Sequence, residues 1–161
     1  MNQKNIILRN AVKKDATDIL RLTKGLAVHE GAPNAVIATE SLLEEWLFEK
    51  KWAEVLVAEY EGKVIGISLY YPIFAAYLGK GGLFIDTLFV EPEYRGYGIG
   101  KMILKKMANI ALERGCMRLE WNCLDDNTSS VEFYKHMGGV PLKGCSIFRA
   151  TGDALKEIAE K

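Results

Sequence analysis

The sequence predicts an α/β (α+β) fold, in which a mixed central sheet of about six to seven strands is flanked by helices. The order of patterns along the chain is strand, two helices, three strands, helix, strand, helix and final short strands. One pair of strands is joined by a tight turn, whereas another pair is separated by a long helical segment. Hairpins join antiparallel strands and helical crossovers join parallel strands, so both kinds of pairing are expected. No linker divides the 161 residues, and we expect one domain that spans residues 1–161.

The first half of the chain begins with a strand at residues 5–10. Helices follow at residues 15–28, where apolar residues recur near a period of 3.6, and from Thr39 onwards. Residues 54–60 and 64–73 are joined by a short turn that contains glycine, and this arrangement is typical of a β-hairpin.

The second half begins with an almost continuous apolar run at residues 83–90, which is typical of a buried strand. An amphipathic helix is predicted over residues 98–114, and it ends at Gly115, a residue that is favoured after helix C-termini. Residues 117–123 alternate between apolar and polar and predict another strand.

A short helix follows, for which Ser129 and Glu132 have the spacing of a capping box. Two short strands are expected after it, one near Val140 and one at residues 146–150. The chain then closes with an amphipathic segment at residues 153–160.

The composition restricts the classes of partner. Hydrophobic residues make up 49% of the chain, and 21 Lys and Arg balance 21 Asp and Glu, so we expect a soluble protein that does not bind nucleic acid. No apolar segment has the length of a membrane span, and no membrane partner is expected. The odd set of Cys116, Cys123 and Cys145 has no metal-ligand spacing, so we expect reduced thiols, no metal and a cytoplasmic location.

The most informative segment is a glycine-rich loop between the strand at residues 83–90 and the following helix. Gly96, Gly98 and Gly100 occupy every second position, and Arg95 and Lys101 flank them. Glycine allows the backbone to approach a ligand closely, and the N-terminus of a helix attracts anions. The loop therefore predicts a site for a polyphosphate.

Two familiar phosphate-binding loops do not match these residues. The dinucleotide fingerprint requires a glycine where this chain has Lys101. A Walker A loop requires Ser or Thr after Lys101 and a further glycine at position 95, but Met102 and Arg95 occupy those positions.

The remaining pattern, Arg95-x-x-Gly98-x-Gly100 between a strand and a helix, resembles the pyrophosphate loop of the GCN5-related N-acetyltransferases (GNAT), which bind acetyl-CoA. The order of elements resembles the GNAT fold along essentially the whole chain. Phe133-Tyr134-Lys135 carries a second resemblance to the superfamily. Within it, the chain is most similar to the diamine (spermidine/spermine) acetyltransferases, which form homodimers, so a homodimer is expected.

The resemblance implies which residues bind acetyl-CoA. Backbone groups at the end of the strand are expected beside its pantetheine arm, the loop would hold the pyrophosphate, and two residues of the later short helix would add a second contact. These residues are Leu88, Phe89, Val90, Arg95, Gly96, Tyr97, Gly98, Ile99, Gly100, Lys101, Asn127 and Ser130. Helix capping remains an alternative role for Asn127, and the two roles are compatible.

Two catalytic residues are expected from the same resemblance and from the chemistry of acetyl transfer. Tyr134 is the candidate general acid, because a phenol can give its proton to a departing thiolate. Asp86 is the candidate base, because it is the one carboxylate in an otherwise apolar strand. We expect Asp86 to be buried and its pKa to be raised, and the alternative is an ion pair at the mouth of a strand.

The expected amine site departs from that of the diamine acetyltransferases. Their strand resembles Leu-Glu-Asp where this chain has Ile85-Asp86-Thr87, and their acidic loop after the first helix corresponds here to Glu30 followed by Gly31, Ala32 and Pro33. Glu30 and Asp86 are the candidate substrate-binding residues. Fewer carboxylates weaken the case for a polyamine and leave a diamine or an amino-acid-like amine open.

The sequence thus predicts an acetyl-CoA-dependent N-acetyltransferase that acts on a primary amine of a small molecule. Direct transfer in a ternary complex is expected, because no cysteine or serine lies in an evident nucleophile setting. Two alternatives remain open: an enzyme that acetylates proteins or peptides, and a module that binds acyl-CoA without turnover.

Overall fold

The computed structural model describes residues 3–142, 144 and 146–161. Cys145, for which a reduced thiol is expected, lies outside the described residues. Tertiary contacts divide the chain into two compact units, Met1–Asn122 and Cys123–Lys161. The single domain that the sequence predicts stays a prediction.

The first unit is built on one mixed sheet of five strands in the order β1-β2-β3-β4-β5. Antiparallel pairing joins the first four strands, and β5 pairs with β4 in parallel. The strands are β1 (Ile6–Asn10), β2 (Glu54–Tyr60), β3 (Lys63–Ala75), β4 (Lys80–Val90) and β5 (Arg118–Trp121). The predicted hairpin is β2–β3, and the predicted mixed sheet flanked by helices is confirmed.

Helices α1 (Ala16–His29), α2 (Glu40–Leu43) and α3 (Ile99–Glu113) complete this unit. Thr39 caps α2 by accepting a hydrogen bond from the backbone N–H of Leu42, and a π-helical segment, Glu44–Glu49, continues the chain. Helix α1 packs on β3 and β4, whereas α3 packs on β2, β4 and β5. The core between α1 and the sheet includes Ile19, Leu22, Val57, Ile67 and Phe89, each at most 4% exposed.

The second unit contains α4 (Thr128–His136) and α5 (Asp153–Glu160). The predicted capping box of Ser129 and Glu132 is wrong, because Asn127 caps α4 and its Oδ1 accepts from the backbone N–H of Ser130 at 3.2 Å. Glu132 is instead 2.8 Å from the ammonium of Lys135. Asparagine is among the best N-cap residues, and it starts the helix before Ser129 can.

The two strands predicted near Val140 and at residues 146–150 are also wrong. The described residues there have no regular secondary structure. A strand is stable only when its backbone pairs with a neighbouring strand. Here no pairing is formed in the described part of the chain, and the side chains of Val140, Ile147 and Phe148 are 72–94% exposed. The sheet therefore has fewer strands than the sequence predicts.

Candidate functional site

Strand β4 is paired on both sides over only part of its length. Its parallel pairing with β5 runs from Gly82, opposite Arg118, to Ile85, opposite Trp121. Strand β5 then ends, whereas β4 continues to Val90. In the part of the chain that the structure describes, residues 86–90 therefore have no strand neighbour on that edge, which is called the open edge of β4.

A β-bulge lies where this open edge begins. On β3, Leu69 and Tyr70 are consecutive, but their partners on β4 are Thr87 and Ile85. Asp86 is the extra residue of the bulge, and its side chain is exposed. The prediction of a buried carboxylate is therefore wrong, because an extra residue has no place in the alternation of buried and exposed positions.

Thr87 is a polar neighbour of this carboxylate. Its hydroxyl donates to Asp86 Oδ2 at 3.2 Å, and Thr87 itself is only 7% exposed. The threonine that replaces the expected second acid therefore leaves Asp86 as a single carboxylate with a neutral donor beside it.

The glycine loop follows β4 directly, and its geometry agrees with an anion site. Gly96 and Gly98 have φ of +81° and +76°, a backbone conformation that residues with a Cβ atom rarely adopt. Gly98 is the N-cap of α3 and supplies no side-chain cap, and no acidic residue lies in the first turn. The first N–H groups of α3 and the side chain of Lys101 are therefore available to a negative ligand.

Arg95 contacts the end of β4. Its Nε donates to the carbonyl oxygen of Val90 at 2.9 Å, and its guanidinium lies 5.3 Å from the ring centroid of Phe89. The arginine thus ties the loop to the end of β4, in addition to supplying positive charge.

The start of the loop is also fixed by ion pairs. Glu91, which directly follows β4, pairs with Arg21 of α1 and lies 2.8 Å from the ammonium of Lys63. The side chain of Glu91 is 12% exposed. Arg21 also donates to the carbonyl oxygen of Val64 at 2.7 Å, so α1, β3 and the loop are held to one another.

Gln3 is a loop contact that the sequence analysis missed. Its Nε2 donates to the carbonyl oxygen of Tyr97 at 2.6 Å, and a Cβ built on Gly98 would lie 3.0 Å from that nitrogen. No motif marks this residue, because it is far from the loop in sequence and the contact depends on the fold.

We expect Gln3→Ala to weaken binding of acetyl-CoA about fivefold, since a single hydrogen bond that orders the loop is lost. Gln3→Glu should weaken it further, because a carboxylate cannot donate to a carbonyl and repels a phosphate. Titration calorimetry with both variants would measure the change. Equal affinity in wild type and both variants would show that Gln3 has no part in the loop.

Glu30, the second candidate substrate residue, lies at the end of α1. Its N–H donates to the carbonyl oxygen of Leu26, and its side chain is exposed. The preceding residue, His29, has its ring centroid 6.5 Å from that of Phe89 on β4. The end of α1 is therefore close to the open part of β4, although no described contact joins Glu30 to Asp86.

The remaining predicted residues belong to the second unit. Asn127 serves as the helix cap, Ser130 donates its N–H to that cap, and both are half-buried. Tyr134 is half-buried on α4, and its ring centroid lies 5.1 Å from that of Phe133. The capping role of Asn127 is observed, whereas the cofactor contacts of Asn127 and Ser130 and the acid role of Tyr134 stay predictions.

Two further features of the described residues bear on the site. No group of three or more His, Cys, Asp or Glu side chains in residues 3–142, 144 and 146–161 is placed to hold a metal ion. Among the helices of this same part of the chain, none has both the length and the apolar character needed to cross a membrane.

Comparison with known families identifies the class. The profile of the acetyltransferase (GNAT) family matches residues 21–138, and the chain belongs to this family. The predicted superfamily is thus confirmed. Members of the family use acetyl-CoA, as the glycine loop indicated.

Individual relatives narrow the class further. The chain is 34% identical to the thialysine N-epsilon-acetyltransferase of Sus scrofa, over 98% of this chain and 99% of that protein. It is 29% identical to a human spermidine/spermine N(1)-acetyltransferase-like protein, over 94% of this chain and 23% of that protein. These similarities confirm the prediction of an N-acetyltransferase related to the diamine group.

A solved structure shows the same fold. An integron cassette protein from the mobile metagenome of V. cholerae superposes with a TM-score of 0.82 at 26% identity, and the match covers 98% of this chain and 99% of that one.

Proposed function

We propose that the protein transfers an acetyl group from acetyl-CoA to a primary amine of a small molecule by direct transfer in a ternary complex. The observation that carries the proposal is the exposed Asp86 at the start of the open edge of β4, which leads directly into the glycine loop. The similarity to a thialysine acetyltransferase over nearly the whole chain supports a small amine as acceptor.

The residues of the first unit fit acetyl-CoA. The edge of β4 at Leu88, Phe89 and Val90 has no strand neighbour in the described part of the chain, and an extended amide-containing arm would bind along it as a further strand does. The loop from Gly96 to Lys101 offers backbone N–H groups and a cation to a pyrophosphate. When bound, acetyl-CoA supplies an activated thioester.

The amine reaches the enzyme as an ammonium ion, because the pKa of a primary amine is about 10. Asp86 attracts this cation and accepts its proton, directly or through water, so that the nitrogen becomes nucleophilic. Glu30, at the end of α1, binds the distal charged group of a longer substrate. An exposed carboxylate can exchange the proton with solvent, and this suits a base that must be regenerated in each turnover.

Tyr134 Oη carries the proton that the departing thiolate takes. A thiol has a pKa of about 8.5, so the leaving group is mainly protonated near neutral pH, and a proton donor assists its departure. Direct transfer needs no enzyme nucleophile. Cys116 is a half-buried thiol, and no histidine or lysine contact to it is found among the described residues, so it lacks the setting of an activated nucleophile.

The test of the proposal is release of free thiol from acetyl-CoA in the presence of a panel of amines. We expect thialysine-like amino acids and diamines to support release, and a peptide N-terminus or a peptide lysine to support much less. Release with peptides alone would favour the protein-acetylating alternative. Binding of acetyl-CoA without release for any amine would favour a non-catalytic module.

The cofactor site has its own test. We expect Gly98→Val to weaken binding of acetyl-CoA at least about tenfold, because a branched side chain displaces the phosphate from the backbone N–H groups. Gly62→Val is the matched control, since Gly62 has a similar φ of +82° in the β2–β3 turn. Calorimetry and melting temperatures would separate the two effects. Equal affinity in two folded variants would refute the loop assignment.

The quaternary state and location form the last part of this proposal. A homodimer is expected from the resemblance to the diamine acetyltransferases, and sedimentation analysis would measure it. A cytoplasmic location is proposed with it, and the reduced thiol of Cys116 supports this location.

A further inference from the structure

Two aromatic side chains lie next to Asp86 on the sheet. Tyr71 of β3 and Phe84 of β4 are direct cross-strand partners. Their ring centroids are 5.4 Å apart and their planes are inclined by 27°, so the rings are stacked. Both residues are half-buried, so each keeps part of its surface exposed.

The ring pair is held from the side of the sheet that faces the core. Tyr71 packs against the apolar cluster that contains Ile19 and Leu22 of α1. The pair therefore lies on the same face of the sheet as α1. Phe89, whose ring centroid lies 6.5 Å from that of His29, belongs to the same face.

The carboxylate of Asp86 is close to this ring pair. The pKa of the Tyr71 hydroxyl is raised, first because the side chain is partly buried and second because the negative charge of Asp86 disfavours a phenolate. Asp86 therefore acts electrostatically on Tyr71 from the adjacent bulge. Asp86 follows Phe84 closely along β4, so an exposed carboxylate and two stacked rings belong to one short stretch of the sheet.

We propose that the Tyr71–Phe84 ring pair is the specificity-determining part of the amine site, which binds the methylene chain of the acceptor while Asp86 binds its ammonium. This inference rests on the proposed function. An alkylammonium ion needs an anion at one end and apolar surface along its length. Aromatic faces supply that surface and also attract the adjacent cation. Asp86 alone would bind ammonium groups without regard to the chain that carries them.

The experiment measures how affinity depends on chain length. Alkylamines of about two to five carbons are titrated into the protein by calorimetry, with kcat/KM measured in parallel. In the wild type we expect affinity to rise about two- to fourfold for each added methylene group. Complete burial of one methylene group corresponds to a gain close to fourfold, and partial burial gives less. In Phe84→Ser we expect this rise to fall below about 1.5-fold per methylene.

Two controls separate recognition from stability. Phe74→Ser removes an aromatic residue of β3 that is 68% exposed and, by the alternation of side chains, lies on the opposite face of the sheet from Tyr71, so it should leave the dependence on chain length unchanged. Tyr71→Phe keeps the ring and should also preserve the dependence. Melting temperatures of each variant would show whether Phe84→Ser changes the fold.

The outcomes for this inference and for the proposed function are distinct. Binding of alkylamines that does not depend on chain length in the wild type, or that keeps its dependence in folded Phe84→Ser, overturns the ring-pair proposal. Chain-length-dependent binding without thiol release overturns the proposed function and leaves the ring pair as an amine site. If no alkylamine binds, both are overturned.

Discussion

Asp86→Asn is expected to lower kcat/KM for primary amines by about 10²- to 10⁴-fold, the range for loss of one acid–base group. Asparagine keeps the shape of the side chain but removes both the charge and the proton acceptor. The optimum pH should also rise, because more of the amine must arrive already deprotonated. Steady-state kinetics over a range of pH, with acetyl-CoA saturating, would measure both effects.

Glu30→Gln is the companion variant, because it removes a carboxylate that is proposed to bind but not to react. It should mainly raise KM, and more for diamines than for monoamines, since its proposed partner is the distal ammonium. Of the two carboxylates, only Asp86 is proposed to act in the transition state, so of these two variants only Asp86→Asn should lower kcat. Equal and small effects of both substitutions would show that the amine site lies elsewhere.

The second large effect is expected for Tyr134→Phe, which should lower kcat by about 10²-fold, the low end for one proton-transfer group. The ring and its contact with Phe133 are kept, so affinity for acetyl-CoA should not change. Rapid-quench or steady-state measurements at saturating amine would report the change in turnover.

Tyr77→Phe provides the matched control, because it removes a phenol hydroxyl from a fully exposed position in the β3–β4 connection. This control should turn over as the wild type does. A folded Tyr134→Phe protein that does the same would mean that water, and not the phenol, protonates the thiolate.

Local sequence patterns predicted the elements that depend on local interactions. The glycine loop and the start of α3 are such a case, because the need for positive φ at Gly96 and Gly98 and the missing cap are properties of a few neighbouring residues. The hairpin β2–β3 is another, since turn chemistry and alternation lie within one short segment.

The features that sequence analysis missed depend on pairing between distant segments. The apolar run at residues 83–90 predicts uniform burial, but Asp86 is exposed because β4 has one residue more than β3 at Leu69 and Tyr70. Similarly, the stack of Tyr71 on Phe84 follows from cross-strand register, and the contact of Gln3 with Tyr97 follows from tertiary packing. None of these relations leaves a signal in a single segment.

The same limit explains the two wrong strands of the second unit. The adjacent apolar residues Ile147 and Phe148 meet the local requirement for a short strand, but strand formation also needs an available edge. Ile147 and Phe148 instead remain 72% and 94% exposed.

The bulge at Asp86 also determines how β4 can change in evolution. In a regular strand Ile85 and Thr87 would point to the same face. Their partners on β3, Tyr70 and Leu69, are consecutive and point to opposite faces, so Ile85 and Thr87 do so too. The parts of β4 before and after Asp86 therefore alternate in opposite phase. Insertion or deletion of one residue on either side of Asp86 would exchange the two faces of that segment. Divergence of acceptor preference among relatives with this bulge should therefore proceed by replacement of side chains, with the length of β4 held constant.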